Sequence, residues 1–341
     1  MASPPRPTLT DVAAQAGVSI ATASRALRAR GEMAADTRSR VLRAAAELGY
    51  STVGQRRGRP RRGTSLMFDL VLGHFHDPYT EEITAGARTT ASELGYDLVL
   101  TAERDDPADD WHERIRSRGS AGVIVGLIVP TSTQIAAMHR ASIPLVLMEP
   151  PSEASSPLPS LRTTDSAGGG AAAEHLVARG ARRFIVIGGA PSYRYGRARV
   201  DGFVRTIDEI APGAPCVRTS ADWSAWDARR ACARALAELP GSGPIGVFAC
   251  SDEMAAGAYR AIADSDRNIP RDVMVVGFDD VRGARWLHPS LTTIRQPIRE
   301  MASAAVRILA QVTSGGVVSN EAIVMPTELV ERGSTRPVIT E

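Results

Sequence analysis

Few residues of this 341-residue chain stand in patterns that could do chemistry, and those patterns point away from catalysis. The stretch "HFHDPYTEEI", His74 to Ile83, gathers two imidazoles, the Asp77 carboxylate and the Tyr79 phenol. A zinc site needs a further ligand-bearing segment, and none stands at a matching interval, so no metal is expected. "VIGGAPS" places a glycine pair after an apolar run but lacks the G-x-G-x-x-G or G-x-x-x-x-G-K spacing that cradles phosphates. No serine, histidine and acid fall in a nucleophile context, so neither a catalytic residue nor a cofactor is expected. Cys216, Cys232 and Cys250 are odd in number and widely spaced, which fits buried reduced thiols. The densest cluster is "GQRRGRPRRG", Gly54 to Gly63, with five arginines in ten residues. Gly58 and Pro60 oppose a regular helix there. Two readings remain: a solvated basic tether, or an extended segment that meets a polyanion.

The charge around that cluster is uneven. Residues 1–62 carry 12 arginines against 4 acids, while 28 arginines face 34 acids in the remainder, so a small basic front precedes a larger acidic body. The chain has no lysine, which reads as the codon bias of a GC-rich genome. With 43% apolar residues there is ample material for cores, and the length suits roughly two to three domains. "MASPPRP" lacks the apolar centre of a signal peptide, and the apolar run "GVIVGLIVP" is far short of the ~20 residues that span a bilayer. A cytoplasmic protein with no membrane partner is expected.

The basic front, "TLTDVAAQAGVSIATASRALRARGEMAADTRSRVLRAAAELGY", predicts three short helices. Thr8 or Thr10 can cap the first, with Leu9, Val12 and Ala13 inward, and Gly17 suits a tight turn. Ser19 can cap a second that buries Ala23, Ala26 and Leu27. Thr37 opens a third, with Val41, Leu42, Ala45 and Leu48 facing the others. A helix-turn-helix of this kind lays the start of its second helix in the major groove of DNA. Ser19, Thr22 and Ser24 then suit phosphate oxygens, Ile20 and Ala21 a thymine methyl, and Arg25 a guanine edge. The competing reading is a three-helix module that binds protein.

From Leu66 onward, apolar runs of four to eight residues ("LMFDLVL", "DLVLTA", "AGVIVGL", "PLVLMEP", "RFIVIGG", "IGVFACS", "VMVVGFDD") alternate with helical stretches. That alternation predicts an α/β body of parallel sheets covered by helices on both faces, in two doubly wound lobes. A ligand belongs at the carboxyl ends of such strands, in the cleft between the lobes.

"LTDVAAQAGVSIATASRALR" and "TRSRVLRAAAELGY" closely resemble the headpiece of the lactose-repressor and galactose-repressor (LacI/GalR) family of transcription regulators, and the likeness continues to the C-terminus. The resemblance implies a headpiece at 1–50, contacting operator DNA through Thr10, Ser19, Ile20, Ala21, Thr22, Ser24 and Arg25. It also implies a linker at 51–64, and a periplasmic-binding-protein-like body at 65–341 that dimerises and binds a small-molecule effector, a carbohydrate. The first lobe would comprise about 65–162 and 293–325, the second about 163–292 and 326–341. The chain would pass between them near Leu161–Thr164, Leu291–Gln296 and Ile323–Leu329.

Arg199 in "RARVDGF" matches the family's R-x-x-G-aromatic arginine and Asp279 in "VVGFDD" its hydroxyl-accepting acid. Ser251 stands where many members have asparagine, Gln296 closes "LTTIRQ", and Trp223 matches an aromatic that stacks on a sugar ring. Asp77, Tyr79 and Glu149 complete the implied effector set. Other roles compete: Asp279 and Gln296 as connector partners, Trp223 as a core aromatic, Arg199 as a structural ion-pair donor.

The family also has a hinge helix after "LGY" whose leucine wedges into the minor groove. Here Arg56 stands where the pattern has alanine, Arg57 matches its arginine, and Arg59 replaces the wedge leucine. "RRGRPRR" resembles instead an AT-hook, an extended arginine segment that lies in a narrow A·T minor groove. The last residues, "LVERGSTRPVITE", carry no leucine heptad, so a homodimer is expected in place of a tetramer. The reading from another class is a cytoplasmic saccharide-binding protein or enzyme that carries a basic arm.

Overall fold

The computed structural model of the chain describes residues 7–27, 34–48, 65–104, 110–150 and 158–336. The chain divides into two compact units, 1–64 and 65–341.

The first unit holds α1 (Leu9–Gln15), α2 (Ile20–Leu27) and α3 (Ala35–Glu47). The Thr8 side chain accepts from the Asp11 amide while the Asp11 carboxylate receives the Thr8 N–H, a reciprocal cap that settles the choice between Thr8 and Thr10. Gly17 turns the chain at φ +62°, and Ser19 Oγ accepts the Thr22 amide at 3.1 Å to start α2. Val12, Ala13, Ala16, Ala23, Ala26, Val41, Ala44 and Ala45 form the core. Leu42, expected inside, is about half exposed, because only positions three and four from Val41 share its face. The third helix begins at Ala35, ahead of the expected Thr37.

The second unit contains two six-stranded sheets. The first is built from β1 (Met67–Leu72), β2 (Asp97–Ala102), β3 (Gly122–Gly126), β4 (Leu145–Met148) and β5 (Ser160–Thr163), with α4 (Pro78–Glu93), α5 (Trp111–Arg118) and α6 (Ser132–Arg140) between them. The second uses β6 (Arg183–Gly188), β7 (Cys216–Ser220), β8 (Ile245–Ala249), β9 (Val273–Asp279) and β10 (Thr292–Arg295), with α7 (Asp165–Ala178), α8 (Arg194–Ile210), α9 (Ala225–Glu238) and α10 (Asp252–Ala263). After β10 the chain returns through α11 (Ile298–Thr313), adds β11 (Ala322–Met325) to the first sheet and ends with β12 (Glu328–Val330) on the second. The orders are β2-β1-β3-β4-β5-β11 and β7-β6-β8-β9-β10-β12, parallel throughout except for antiparallel β12. Helices cover both faces of the first sheet, so its central strands are continuous apolar runs.

Three passages join the lobes. Thr164 Oγ1 accepts the Thr327 amide at 2.9 Å, and the Thr163 hydroxyl lies 3.0 Å from Gln296 Oε1, tying the passages to one another. The sequence placed residues 293–295 in the first lobe. They belong to the second, since β10 pairs with β9 in register Thr292 to Val276, and the passage falls after Gln296. Helices α7 and α8 touch through glycines: a Cβ at Gly169 would sit 2.1 Å from the Arg199 carbonyl, and one at Gly202 2.0 Å from that of Ser166. Among the described residues no helix is long and apolar enough to cross a membrane.

Candidate functional site

Each sheet reverses its strand order once, between β1 and β3 in the first and between β6 and β8 in the second. At such a reversal neighbouring connections leave in opposite directions and open a crevice at the strands' carboxyl ends. The loops after β1, β3, β6, β7, β8 and β9 line one cavity of about 370 Å³. The first lobe supplies His74, His76, Asp77, Tyr79 and Leu127 to it. The second supplies Tyr193, Tyr195, Arg199, Asp222, Trp223, Ser224, Ser251, Glu253 and Asp279.

Local sequence sets these groups. Asp77 caps α4, accepting the Tyr79 and Thr80 amides at 2.8 and 2.9 Å, so its carboxylate is fixed at the lip while His74 Nδ1 lies 2.9 Å away. Ser251 caps α10 in the same manner, accepting the Met254 amide at 3.1 Å. Trp223 adopts φ +56° and rests on bare backbone, since a Cβ at Gly189 would come within 2.0 Å of its ring. Tyr195 and Tyr193 stand 5.1 and 6.3 Å from it, forming an aromatic wall. Its indole Nε1 is buried and has no hydrogen-bond partner among the described residues.

Behind the cavity lies a buried ionic network that crosses between lobes. Arg199 donates from Nε to Asp165 Oδ1 at 2.9 Å and from Nη1 to the Cys250 carbonyl at 2.8 Å, and its guanidinium lies 3.8 Å from the Phe278 ring centroid. Gln296 Nε2 donates to Asp279 Oδ1 at 2.6 Å, which also lies 3.5 Å from Arg199 Nη1. Arg194, on α8, donates to Asp165 Oδ2 at 2.9 Å, to the Glu149 carboxylate after β4, and to the Pro150 carbonyl at 3.3 Å. The Thr163 amide donates to Glu149 Oε1 at 3.0 Å.

Three carboxyls, Glu149, Asp165 and Asp279, thus face two guanidiniums, every one of the five side chains less than a tenth exposed. Full ionisation would leave one buried negative charge uncompensated, and a proton on Glu149 or Asp279 removes it. Burial pushes Asp279 up to about 7, against the pull of Arg199 and Gln296. Burial, with Asp165 adding to it, pushes Glu149 up to about 8, against Arg194 and Arg199. Burial works against the Arg199 charge, yet Asp165 and Asp279 hold its pKa above the ordinary arginine value. Burial, reinforced by Glu149 and Asp279, raises the Tyr79 phenol well above its usual range.

Of the eight residues read from the sequence, Asp77, Tyr79, Arg199, Trp223, Ser251 and Asp279 share the cavity wall. Glu149 and Gln296 do not line it; they stand behind, in the network that joins the lobes. Sequence reasoning missed Asp165, Arg194, Tyr193, Tyr195, Asp222 and Glu253. The "SYRYGR" run and the acid opening α7 were visible, but nothing local marks them as neighbours of Glu149 or Trp223.

In the first unit Thr10, Ser19 and Ile20 are exposed and Thr22 and Ser24 half-buried. Ser19 Oγ and Thr22 Oγ1 are 2.8 Å apart. Ala21 and Arg25 lie within α2. Arg56, Arg57 and Arg59 fall outside the described residues.

Residues 8–52 match the family described as bacterial regulatory proteins, lacI family, and residues 173–335 a periplasmic binding protein-like domain. The HTH-type transcriptional regulator MalR of Streptomyces coelicolor is 32% identical over 336 residues, 96% of either chain. A transcriptional regulator CelR–cellobiose complex is 28% identical with TM-score 0.69, covering 96% of this chain and 100% of its own. A lac repressor dimer bound to operator and the anti-inducer ONPF is 26% identical with TM-score 0.69, covering 97% and 99%. A headpiece of three helices, two doubly wound lobes enclosing a cavity and likeness along nearly the whole chain lead to one conclusion: the protein belongs to the LacI family and is a DNA-binding transcription regulator, not an enzyme.

Proposed function

We propose that the inter-lobe cavity is the effector site of a cytoplasmic, homodimeric repressor, and that its effector is a carbohydrate. The carrying observation is the convergence of loops from both lobes on one cavity walled by Trp223, Tyr193 and Tyr195 and edged by acids. Aromatic faces match the apolar face of a sugar ring, and the polar rim can replace the hydrogen bonds its hydroxyls lose on leaving water. Cellobiose in one related structure and operator DNA in another fit the same division of labour. Asp77, Tyr79, Arg199, Trp223, Ser251 and Asp279 would touch the effector, with Glu149 and Gln296 positioning them.

A ligand touching both lobes binds their closed arrangement more tightly than an open one, and so shifts the balance between them. On the DNA side, Thr10, Ser19, Ile20, Ala21, Thr22, Ser24 and Arg25 would meet the operator's major groove, and Arg56, Arg57 and Arg59 a minor groove beside it. Two copies would read a pseudo-palindromic site. A thermal-shift screen of mono- and disaccharides, followed by operator binding measured by fluorescence anisotropy, tests the reading. Trp223→Ala should raise the sugar concentration needed for the response by about tenfold or more. A response at unchanged concentration would overturn the assignment.

A further inference from the structure

The cavity's charge is one-sided. Its wall carries the acids Asp77, Asp222, Glu253 and Asp279 against one guanidinium, Arg199, and the imidazoles of His74, paired with Asp77, and His76. That guanidinium is already matched by Asp165 behind the wall, at 2.9 Å. Asp77 and Asp279 are themselves partly compensated, by the α4 amides and by Gln296 with Arg199. Asp222 and Glu253 differ: exposed side chains on the cavity's lining, they make neither hydrogen bond nor ion pair with other described residues. They share the cavity's lining with the rings of Tyr193, Tyr195 and Trp223, and aromatic π faces attract cations. Among the described residues no three His, Cys, Asp or Glu side chains come together as metal ligands, whereas aromatic rings beside carboxylates suit an organic cation.

Resting on the carbohydrate reading above, we propose that the effector bears a protonated amine on its hydroxyl-rich frame: an amino sugar in preference to a neutral sugar or a sugar phosphate. A cleft lined by one sign of charge concentrates ligands of the opposite sign. A phosphate would meet two unpaired carboxylates, with Arg199 already engaged by Asp165 and only imidazoles left among the described lining residues to receive it. An ammonium in this cavity gains the field of these carboxylates and an aromatic wall, which a neutral hydroxyl engages far less.

Calorimetric titration of the full-length protein tests this with three disaccharides: β-1,4-linked glucosaminyl-glucosamine, cellobiose and N,N′-diacetylchitobiose. The diamine is expected to bind about tenfold more tightly than either neutral counterpart, with the advantage shrinking as salt is added. In the Asp222→Asn, Glu253→Gln double variant the preference for the diamine should fall to about threefold or less. Cellobiose binding as tightly as the diamine overturns the inference while leaving the carbohydrate reading intact. So does an undiminished preference in the double variant, which would reduce Glu253 to a helix-terminus acid. Binding by none of the three also overturns it, and the carbohydrate reading then answers separately to the wider sugar screen.

Discussion

A guanidinium shut away from water is tolerated only where acceptors surround it, and Arg194 and Arg199 show what that demands of their neighbours. Arg194 ties Asp165 at the start of α7 to Glu149 after β4, so one side chain clamps the two lobes. The protons held on the raised carboxyls have a consequence for stability. Between the ordinary carboxylate range and about 7 to 8 the folded protein keeps protons that the unfolded chain has released. Stability from these groups is therefore greatest at the acid end of that window and declines as pH rises through it. Urea unfolding followed from mildly acidic to mildly basic pH should show this decline, and Glu149→Gln, neutral throughout, should flatten it. Equal slopes in both proteins would mean that Glu149 carries no such proton. Arg199 and Asp279 were legible in the sequence because each lies in a local motif beside a strand end. Asp165 and Arg194 were not, because their partners lie across the lobe boundary and only the three passages bring them together.

Among the elements, α7 and α8 decide where Arg199 stands. Their glycines allow backbone to touch backbone, as the 2.1 Å that a Cβ at Gly169 would leave to the Arg199 carbonyl shows. Gly169→Ala must push α8 outward, and with it the Arg199 fork. We expect a loss of about 1–3 kcal/mol in urea unfolding, with weaker effector binding. A variant as stable as the parent would show that the helices separate freely. Thr8→Ala should cost the headpiece about 1 kcal/mol, read as lower α-helical content on heating residues 1–64 and the full chain alike. The central strands were readable because sheets covered on both faces demand continuous apolar runs, as in "RFIVIGG". β10 was misassigned because "TTIR" is not such a run, and its membership depends on the distant strand β9. Leu42 was misjudged for a geometric reason: one residue along a helix is about 100° around it.

At the scale of the whole molecule, the split between a basic front and an acidic body separates the ionic work of DNA binding from that of effector binding. If the arginines at 56, 57 and 59 enter a narrow A·T groove, Arg57→Ala with Arg59→Ala should weaken operator binding. It should also reduce the slope of log affinity against log salt by about 1–2 units. Selection from random operators should recover A·T-rich centres or flanks. G·C-rich centres, or unchanged affinity in the double variant, would reduce the segment to a charged tether. Light scattering at micromolar concentration should report a dimer; a tetramer would contradict the expectation drawn from the C-terminal residues.

The three passages between lobes also govern how the chain is made. The first sheet has five of its strands by Thr163, but α11, which packs on it, begins only at Ile298 and its last strand ends at Met325. During synthesis the early strands therefore leave the ribosome with one apolar face covered only by α4 while the second lobe is still being translated. At roughly 5–20 residues per second that interval is on the order of ten seconds. After that return the second lobe lacks only β12 and the short buried turn Gly333–Thr335, whereas the first lacks a whole helix and a strand, so the second should close first and the amino-terminal half of the body should be the part that chaperones hold. Release of nascent chains halted before residue 298 should yield a protease-resistant second lobe beside a digestible first one.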